Sequence, residues 1–410
     1  MTIGALLLAA SCAPPRSTSP RPTADDAGTA AIRVLLAINA ASADIGANGA
    51  WNLLDPQRRI MVRAGSGERW RIERDGDRIR GIRGAVRTGW VDGPIYAVMT
   101  SDGFLSVNGR RYRGEAVFRA SPGGILVLNR VRIDEYLGGV VPLEIGARPA
   151  AESAAVQAQA VAARSYAYTH LDAGDPRGYD VTATVADQVY GGVDVESAIA
   201  NRAIESTRGL VLKYAGRVVN APYSSACGGQ TAEASEVWRT ADQPYLKRVS
   251  DRIPGSDRFY CDVAPRFAWT RTFDEAELVA TVSRYLSTYV PVPGNDPGRP
   301  RKVAVASRTG SGRVGALTIT TDRGEFTIRG NDIRSVLRGP GGEILNSTYF
   351  SVDSSEERDG HLSRLTLRGG GYGHGIGMCQ WGAIGRARAG QDFRSILATY
   401  YPGTTVGTLR

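Results

Sequence analysis

The stretch from Tyr136 to Tyr168 reads YLGGVVPLEIGARPAAESAAVQAQAVAARSYAY. It begins with an apolar pattern at Val140 and Val141 that predicts a short strand. Pro142 then predicts a turn, which presents a single carboxylate, Glu144. The rest of the chain is interpreted around this carboxylate.

A long helix is predicted directly after the turn. Residues 150–171 are rich in Ala and contain neither Gly nor Pro, and Pro149 suits the first turn of a helix. A carboxylate flanked by Leu143 and Ile145 is expected to lie in a partly apolar pocket, which favours its protonated form. Glu144 is therefore a candidate general acid, and the alternative is a solvated glutamate in a turn.

The pattern of the whole chain predicts an α+β fold. Short alternating apolar runs with Gly and Asn-Gly between them predict strands and hairpins before Glu144, and Asn108-Gly109 is the strongest hairpin signal. The predicted parts are a β-rich part at 31–133, packed on a mixed helix and strand core at 134–265, an inserted small subdomain at 266–345 and a completion of the core at 346–410.

The first 30 residues are interpreted as an export and anchoring segment. Residues 1–12 form an apolar run that ends in small residues before Cys12, as in a lipoprotein signal whose cysteine is lipidated. Residues 13–30 are rich in Pro, Ser and Thr, which is typical of a tether. The protein is therefore expected to be an extracytoplasmic protein of the cell envelope, either lipid-anchored or secreted. It is expected to contact the membrane only through the N-terminal lipid. An ordinary N-terminal helix is the alternative for residues 1–12.

The charge of the chain narrows the choice of partners. The 410 residues carry a formal net charge of +9, which favours polyanionic partners. No run rich in Lys and Arg and no nucleic-acid-binding motif is present, so nucleic acid is not an expected partner.

Four motifs in order resemble the SpoIID/LytB family, the group of stage II sporulation protein D and the amidase enhancer. They are VVPLEIG with VQAQAVAARSYAY around Glu144, QVYGGV at 188–193, YSSACGGQT at 223–231, and GGGYGHGIGMCQWGAIGRARAGQDFRSILATYYPGT at 369–404. In family members that act as lytic transglycosylases on peptidoglycan, the glutamate of the VPxE motif is catalytic. The resemblance assigns that role to Glu144.

The resemblance implies a reaction that needs one carboxyl group. Glutamic acid protonates the glycosidic oxygen and then, as a carboxylate, accepts the proton of the muramic acid C6 hydroxyl, whose attack leaves a 1,6-anhydro end. Ordinary glycoside hydrolysis needs two carboxylates, and the nearby Glu152 is explained by the helix dipole. The implied substrate is peptide-stripped glycan, with an N-acetylmuramoyl-L-alanine amidase as partner. The alternatives are a non-catalytic peptidoglycan-binding protein that enhances an amidase, and a hydrolase.

Other residues of the motifs are candidate substrate-binding groups. Their positions match those that the family motifs specify, and they are Gln159, Arg164, Tyr166, Tyr190, Tyr372, His374, Gln380 and Trp381. His374 is expected to orient Glu144 or to bind substrate, and Tyr372 and Trp381 to stack on sugar rings. The alternative for the helix is a structural role, with its polar side chains satisfied by the backbone.

The sequence contains four cysteines. With Cys12 assigned to lipid, Cys227 and Cys261 are the expected disulfide, and Cys379 is expected to be a free, buried thiol. Some members of the family hold a structural zinc with His and Cys, but YSSAC contains no His and the chain has no C-x-x-C pair. No cofactor is therefore predicted, and zinc bound by Cys227, Cys261, Cys379 and His374 is the alternative.

Overall fold

The computed structural model describes residues 30–172 and 176–409, which fall into two compact units. The N-terminal unit contains residues 30–220 and 406–409, and the C-terminal unit contains residues 221–405. The predicted signal segment, Cys12 and all but the last residue of the predicted tether lie outside the described residues. Among the helices of the described residues, none is long and apolar enough to cross a membrane.

Helices and strands both occur in each unit, so the predicted α+β class is confirmed. The strands of the described residues are β1 (Ala31–Ala40), β2 (Ala43–Ala47), β3 (Trp51–Leu54), β4 (Ile60–Ala64), β5 (Arg69–Asp75), β6 (Arg78–Arg83), β7 (Val86–Arg87), β8 (Ile95–Met99), β9 (Leu105–Val107), β10 (Arg110–Tyr112), β11 (Glu115–Ser121), β12 (Gly124–Arg132), β13 (Val181–Thr182), β14 (Leu210–Tyr214), β15 (Arg217–Val218), β16 (Tyr223–Ser224), β17 (Ala268–Asp274), β18 (Pro300–Arg308), β19 (Val314–Thr321), β20 (Glu325–Arg329), β21 (Phe350–Arg358), β22 (His361–Gly370), β23 (Met378–Cys379) and β24 (Thr405–Thr408).

Eight α-helices of the described residues lie between these strands. They are α1 (Ile133–Ile145), α2 (Ser153–His170), α3 (Ala198–Ser206), α4 (Ala234–Val237), α5 (Glu275–Tyr285), α6 (Asp332–Val336), α7 (Gln380–Arg388) and α8 (Phe393–Tyr400). Single 3-10 turns lie at Ala150–Glu152, Gly192–Val195, Leu286–Thr288 and Pro293–Asn295.

The β-rich start of the N-terminal unit forms two sheets, as the alternating pattern predicts. One sheet has the order β13-β1-β12-β11-β8-β3-β4 and the other β10-β9-β2-β5-β6-β7. The predicted hairpin at Asn108-Gly109 is confirmed: β9 and β10 pair on either side of it, and both turn residues have positive φ, as a two-residue hairpin of this type requires. A small sheet with the order β15-β14-β24 packs against α2 through β14 and β15.

Helix α1 replaces the strand and turn predicted around Glu144. Its apolar buried residues recur at helical spacing, at Ile133, Leu137, Val140, Val141 and Ile145. Pro142 lies in the last turn, and the helix ends at Gly146, which has a φ of 76°. A proline inside a helix costs about 3 kcal/mol, and the burial of several aliphatic side chains at roughly 1.5–3 kcal/mol each offsets this cost. The period-3.6 pattern therefore prevails over the local Val-Val-Pro signal.

The long helix predicted after Glu144 is confirmed. Ala150–Glu152 forms a 3-10 turn after Pro149, and α2 continues to His170. Most of α2 is buried, since it packs against α1, α3 and β14. Helix α3 follows a separate 3-10 turn at Gly192–Val195.

The C-terminal unit is built from two three-stranded sheets and a parallel strand pair. The sheets have the orders β17-β22-β21 and β18-β19-β20, and β16 pairs in parallel with β23. Helix α5 is capped at its start by the Asp274 side chain and is followed by a 3-10 turn. Helices α7 and α8 follow β23. The compact unit begins at residue 221, whereas the sequence predicted boundaries at 266 and 346; the insertion at 266–345 stays a prediction.

Candidate functional site

Glu144 lies in the last turn of α1 and is partly buried. Its carboxylate oxygen Oε1 accepts a hydrogen bond of 2.8 Å from the backbone N–H of Val189. The two flanking side chains differ, because Ile145 is buried whereas Leu143 is 41% exposed. The partly apolar pocket expected around the Glu144 carboxylate stays a prediction.

The QVYGGV segment, whose Val189 donates to Glu144, packs against α1 at a glycine. The N–H of Gly191 donates to the carbonyl of Gly139 at 3.0 Å. A Cβ at Gly139 would lie 2.5 Å from the ring of Tyr190, so only glycine permits this approach. Gln188 accepts from the Tyr136 hydroxyl at 3.2 Å and donates to the Ala163 carbonyl at 3.4 Å. The QVYGGV motif therefore connects α1 with α2 and places the Val189 N–H at Glu144.

A second acidic residue, Asp187, lies two residues before Val189 in the same segment. Its Oδ1 accepts a hydrogen bond of 3.1 Å from the hydroxyl of Tyr166, on α2. Its Oδ2 accepts from the N–H and the hydroxyl of Thr182, each at 2.9 Å. The ring of His170 stacks on Tyr166 at 3.9 Å between centroids, and its Nδ1 lies 2.7 Å from the Tyr166 carbonyl.

Asp187 and His170 were not predicted from the sequence. Asp187 directly precedes QVYGGV, and His170 is the last residue of α2, one helical turn after Tyr166. An i, i+4 spacing places two side chains on one face of a helix, which is the signal that relates His170 to Tyr166.

Tyr136 links the two acidic residues electrostatically. Burial raises the pKa of the Tyr136 hydroxyl well above its usual value, and the nearby Tyr166, Asp187 and Glu144 act in the same direction. The charges of two carboxylates and of Tyr166 therefore act on one buried phenol.

Three of the predicted substrate-binding residues lie in the interior of the N-terminal unit. Gln159 and Arg164 are 0% and 1% exposed, and Tyr190 is 3% exposed. Arg164 donates to Asp134 at 2.8 Å and to the backbone carbonyls of Leu210 and Ile204. These contacts indicate a structural role, because a buried guanidinium needs its charge and donors satisfied by the protein.

Tyr190 has a similar interior position. Its hydroxyl donates to Asn129 Oδ1 at 2.7 Å, and its ring contacts Tyr112 and Tyr136. Burial raises the pKa of Tyr190, with the charges of Tyr112 and Glu196 contributing further. The hydroxyl is therefore a hydrogen-bond donor fixed within the protein, whereas Tyr166 is only partly buried.

His374 lies in the C-terminal unit and is bound through both ring nitrogens. Nε2 is 2.8 Å from the carbonyl of Tyr223, and Nδ1 accepts from the N–H of Ile376 at 3.1 Å. This arrangement fixes the neutral tautomer with the proton on Nε2. Burial, with the charge of Arg334 as the next cause, lowers the pKa of His374 to about 3. His374 is therefore a neutral residue that joins its loop to β16, and its predicted contact with Glu144 or with substrate stays a prediction.

The other motif residues of this unit surround the same strand pair. The Tyr372 backbone pairs with Ala226, and the guanidinium of Arg266 lies 4.3 Å from the centre of the Tyr372 ring. The backbone N–H of Trp381 donates to the Ser225 carbonyl at 3.0 Å. Gln380, the first residue of α7, is 5% exposed. Stacking of sugars on Tyr372 and Trp381 stays a prediction.

The cysteines of the C-terminal unit lie together. Cys227, Cys261 and Cys379 are free and buried, and the Sγ atoms of Cys227 and Cys261 are 3.6 Å apart, so the predicted disulfide partners are adjacent but not bonded. Asp251 joins the three thiols, and their ligand atoms all lie within 4.8 Å of one another. Asp251, and not the predicted His374, completes this group.

Comparison of the sequence with known proteins shows which family contains this chain. The model of a family described as "Stage II sporulation protein" matches residues 121–214, which include Glu144, Tyr166 and Asp187. Stage II sporulation protein D of Bacillus subtilis is 30% identical, over 72% of this chain and 82% of that protein. The chain belongs to the SpoIID family. Membership in this family implies a cell-wall-related function.

Further relatives cover other shares of the chain. The amidase enhancer of B. subtilis is 31% identical over 77% of this chain, which spans half of that protein's length. An uncharacterized protein of Brachyspira hyodysenteriae is 32% identical over 75% of each chain. Residues 256–377 match a second family model, described as a domain of unknown function.

Proposed function

We propose that this member of the SpoIID family is a peptidoglycan lytic transglycosylase that cleaves peptide-stripped glycan strands to 1,6-anhydro ends. The observation that carries the proposal is the position of Glu144. It lies at the end of a buried helix, with one carboxylate oxygen fixed by the Val189 N–H and a partly exposed side chain. A fixed carboxyl group with access to solvent suits general acid and base catalysis.

Glu144 acts twice in the proposed reaction. As the acid it gives its proton to the glycosidic oxygen while the bond from that oxygen to the anomeric carbon breaks. As the carboxylate it then accepts the proton of the muramic acid C6 hydroxyl, whose oxygen bonds to the anomeric carbon. The proton count balances, no water is consumed, and Glu144 ends protonated for the next cycle. The hydrogen bond from Val189 supports the carboxylate stage, because an N–H donor stabilises the negative charge.

The contacts of Tyr166 support a proposal for how the sugar is held. The Tyr166 ring is covered on one face by His170, and its hydroxyl is oriented by Asp187. In the proposal Tyr166 contacts the substrate and Asp187 is a positioning residue. The exposed Leu143 offers an apolar surface next to Glu144 for a sugar ring.

The cellular setting belongs to the same proposal. Export, with Cys12 as the lipidated residue or with release from the cell, would bring the protein to peptidoglycan. An N-acetylmuramoyl-L-alanine amidase would supply the stripped strands as its product. The similarity to an amidase enhancer supports a connection with such an enzyme.

The test is cleavage of denuded glycan strands by the full-length protein, with the products identified by mass spectrometry. Wild type is expected to release fragments with 1,6-anhydromuramic ends, and Glu144→Gln is expected to release none. Glu135→Gln is the matched control, because Glu135 is a partly buried glutamate of the same helix. It should retain cleavage, and near-native circular dichroism of Glu144→Gln shows that the loss is chemical.

A second function is favoured by the similarity to the amidase enhancer. In this alternative the protein binds peptidoglycan without cleaving it and stimulates an amidase. Equal strand binding by wild type and Glu144→Gln, with no cleavage by either, would overturn the transglycosylase and favour the enhancer. Reducing ends in place of anhydro ends would indicate a hydrolase.

A further inference from the structure

Three cysteines and one aspartate form a compact group of metal-ligating side chains in the C-terminal unit. They come from distant parts of the chain, and they are Cys227, Asp251, Cys261 and Cys379. Each is at most 1% exposed. The ligand atoms of these four side chains lie within 4.8 Å of one another. Burial of charged groups is costly unless they are paired or coordinate a metal, so a group of this kind indicates a binding partner.

The spacing of the ligand atoms suits a single metal ion. Cys227 Sγ lies 3.6 Å from Cys261 Sγ and 3.6 Å from Asp251 Oδ2. Two sulfur ligands, each about 2.3 Å from a tetrahedral Zn²⁺, lie about 3.8 Å apart. A disulfide needs sulfur atoms about 2.05 Å apart. The upper limit of 4.8 Å on all ligand pairs fits one ion at the centre.

The surroundings orient these side chains in the manner of a metal site. Asp251 Oδ1 accepts from the Tyr400 hydroxyl at 2.7 Å and from Arg386 at 3.0 Å, while Oδ2 faces Cys227. Cys379 Sγ accepts from the N–H groups of Cys227 at 3.1 Å and of Gly382 at 3.3 Å. Ligands of bound metals are typically oriented by such outer hydrogen bonds.

Helix α7 approaches the group closely because of its glycines. A Cβ at Gly382 would lie 2.1 Å from Asp251 Oδ2 and 2.0 Å from the Tyr400 hydroxyl oxygen. A Cβ at Gly385 would lie 2.0 Å from the Tyr260 carbonyl, next to Cys261 in the chain. The two glycines therefore let one helix contact the segments that carry two of the other ligands, with Cys379 as its N-cap.

The charges of the region balance when a divalent cation is included. Three thiolates, one carboxylate and one M²⁺ ion carry a net charge of −2. Arg386 is ion-paired with Asp251, and the buried Arg313 donates to the Cys227 carbonyl at 2.8 Å. These two guanidinium groups bring the local sum to zero, which meets the requirement that buried charge be compensated.

We propose that Cys227, Cys261, Cys379 and Asp251 bind one Zn²⁺ ion as a structural site. Thiolate ligands select zinc over magnesium or calcium, and four protein ligands leave no position for substrate or water. The ion joins the loop after β16, the segment around residues 251–261 and the end of β23, directly before α7. This site does not depend on glycan cleavage, and its test uses no activity measurement.

The first experiment measures metal content in full-length protein purified without chelators. Wild type is expected to contain about one zinc per chain, and Cys261→Ala less than about a tenth of that. Cys12→Ala is the control, since Cys12 is the one cysteine of the sequence outside the group, and it should contain the same zinc as wild type. Asp251→Asn should release zinc to a chromogenic chelator at least about tenfold faster than wild type.

A second measurement keeps the proposal testable if Cys261→Ala fails to fold. Wild type stripped of metal and given Co²⁺ should show the strong visible bands of a tetrahedral cobalt site together with thiolate-to-cobalt charge transfer. Weak octahedral bands would overturn the proposal. Peptide mapping without reductant that finds Cys227 linked to Cys261 would also overturn it. Wild type purified without chelators that contains no zinc and has free thiols at Cys227, Cys261 and Cys379 would overturn it as well.

Discussion

The backbone N–H of Val189 donates a 2.8 Å hydrogen bond to Oε1 of Glu144. The two residues are 45 positions apart. The contact exists because helix α1 and the QVYGGV segment pack closely at Gly139. It joins the first two motifs of the family in one local structure, and the position of the carboxylate depends on it.

Removing the hydroxyl of Tyr166 tests its proposed role at the substrate. In Tyr166→Phe we expect cleavage of denuded glycan, measured as kcat/KM, to fall at least about tenfold with little loss of stability, because this hydroxyl is oriented by Asp187 in a partly exposed position. Tyr190→Phe is the control. It should cost about 1–2 kcal/mol of unfolding free energy, because Asn129 Oδ1 loses a buried donor, but leave kcat/KM unchanged. Equal activity losses in both variants would contradict the proposal.

A methyl group at Gly139 should disturb the packing of α1. The Cβ of Gly139→Ala would meet the Tyr190 ring at 2.5 Å and the Gly192 nitrogen at 2.9 Å. We expect a loss of about 1–3 kcal/mol in urea unfolding and reduced cleavage, because the Val189 N–H is displaced from Glu144.

The neighbouring glycine supplies a matched control for this substitution. The Cβ of Gly138→Ala would meet Glu196 at 3.4 Å, an ordinary contact. Alanine is a better helix former than glycine by about 1 kcal/mol, so this variant should be as stable as wild type or more stable. Destabilisation of both variants to the same extent would mean that the approach at Gly139 is not the cause.

Arg164 is expected to matter for stability. Arg164→Lys should lower the unfolding free energy by about 2–4 kcal/mol, because one ammonium group cannot reproduce the separate contacts to Asp134, Leu210 and Ile204. Arg208→Lys, at an exposed pair with Glu205, should show no measurable change. If Arg164→Lys is fully stable and loses only substrate affinity, the original substrate-binding interpretation is correct.

The buried neutral His374 should make stability depend on pH. Its pKa is about 3 in the folded protein and about 6.5 in an unfolded chain, so the unfolded state binds more protons between these values. The stabilisation is present above about pH 6.5 and is lost as the pH falls toward 3, at up to about 1.4 kcal/mol per pH unit.

Denaturant titrations at several pH values between 4 and 7 measure this effect. The slope should be smaller in His374→Gln than in wild type, whatever the loss of stability at pH 7. An unchanged slope in His374→Gln would show that His374 titrates normally.

The sequence by itself determined the elements whose signals are local. Alternation predicted the strands before residue 133, Asn108-Gly109 predicted the β9–β10 turn, and the run without Gly or Pro predicted α2. The ordered motifs identified the family and Glu144. The sequence from Ile133 to Ile145 also has helical spacing, but its Val-Val-Pro pattern favours a strand and a turn. That prediction is wrong, because the segment forms α1.

Tertiary structure alone decided which of the motif residues meet each other. Nothing local relates Asp251 to three cysteines, Asp187 to Tyr166 or Val189 to Glu144, because each contact joins segments well separated along the chain. Burial also determines the contacts of Arg164 and His374. Their polar atoms are hydrogen-bonded by the backbone and side chains of distant elements. A motif specifies which residue types are present, and packing determines whether they face solvent or the protein interior.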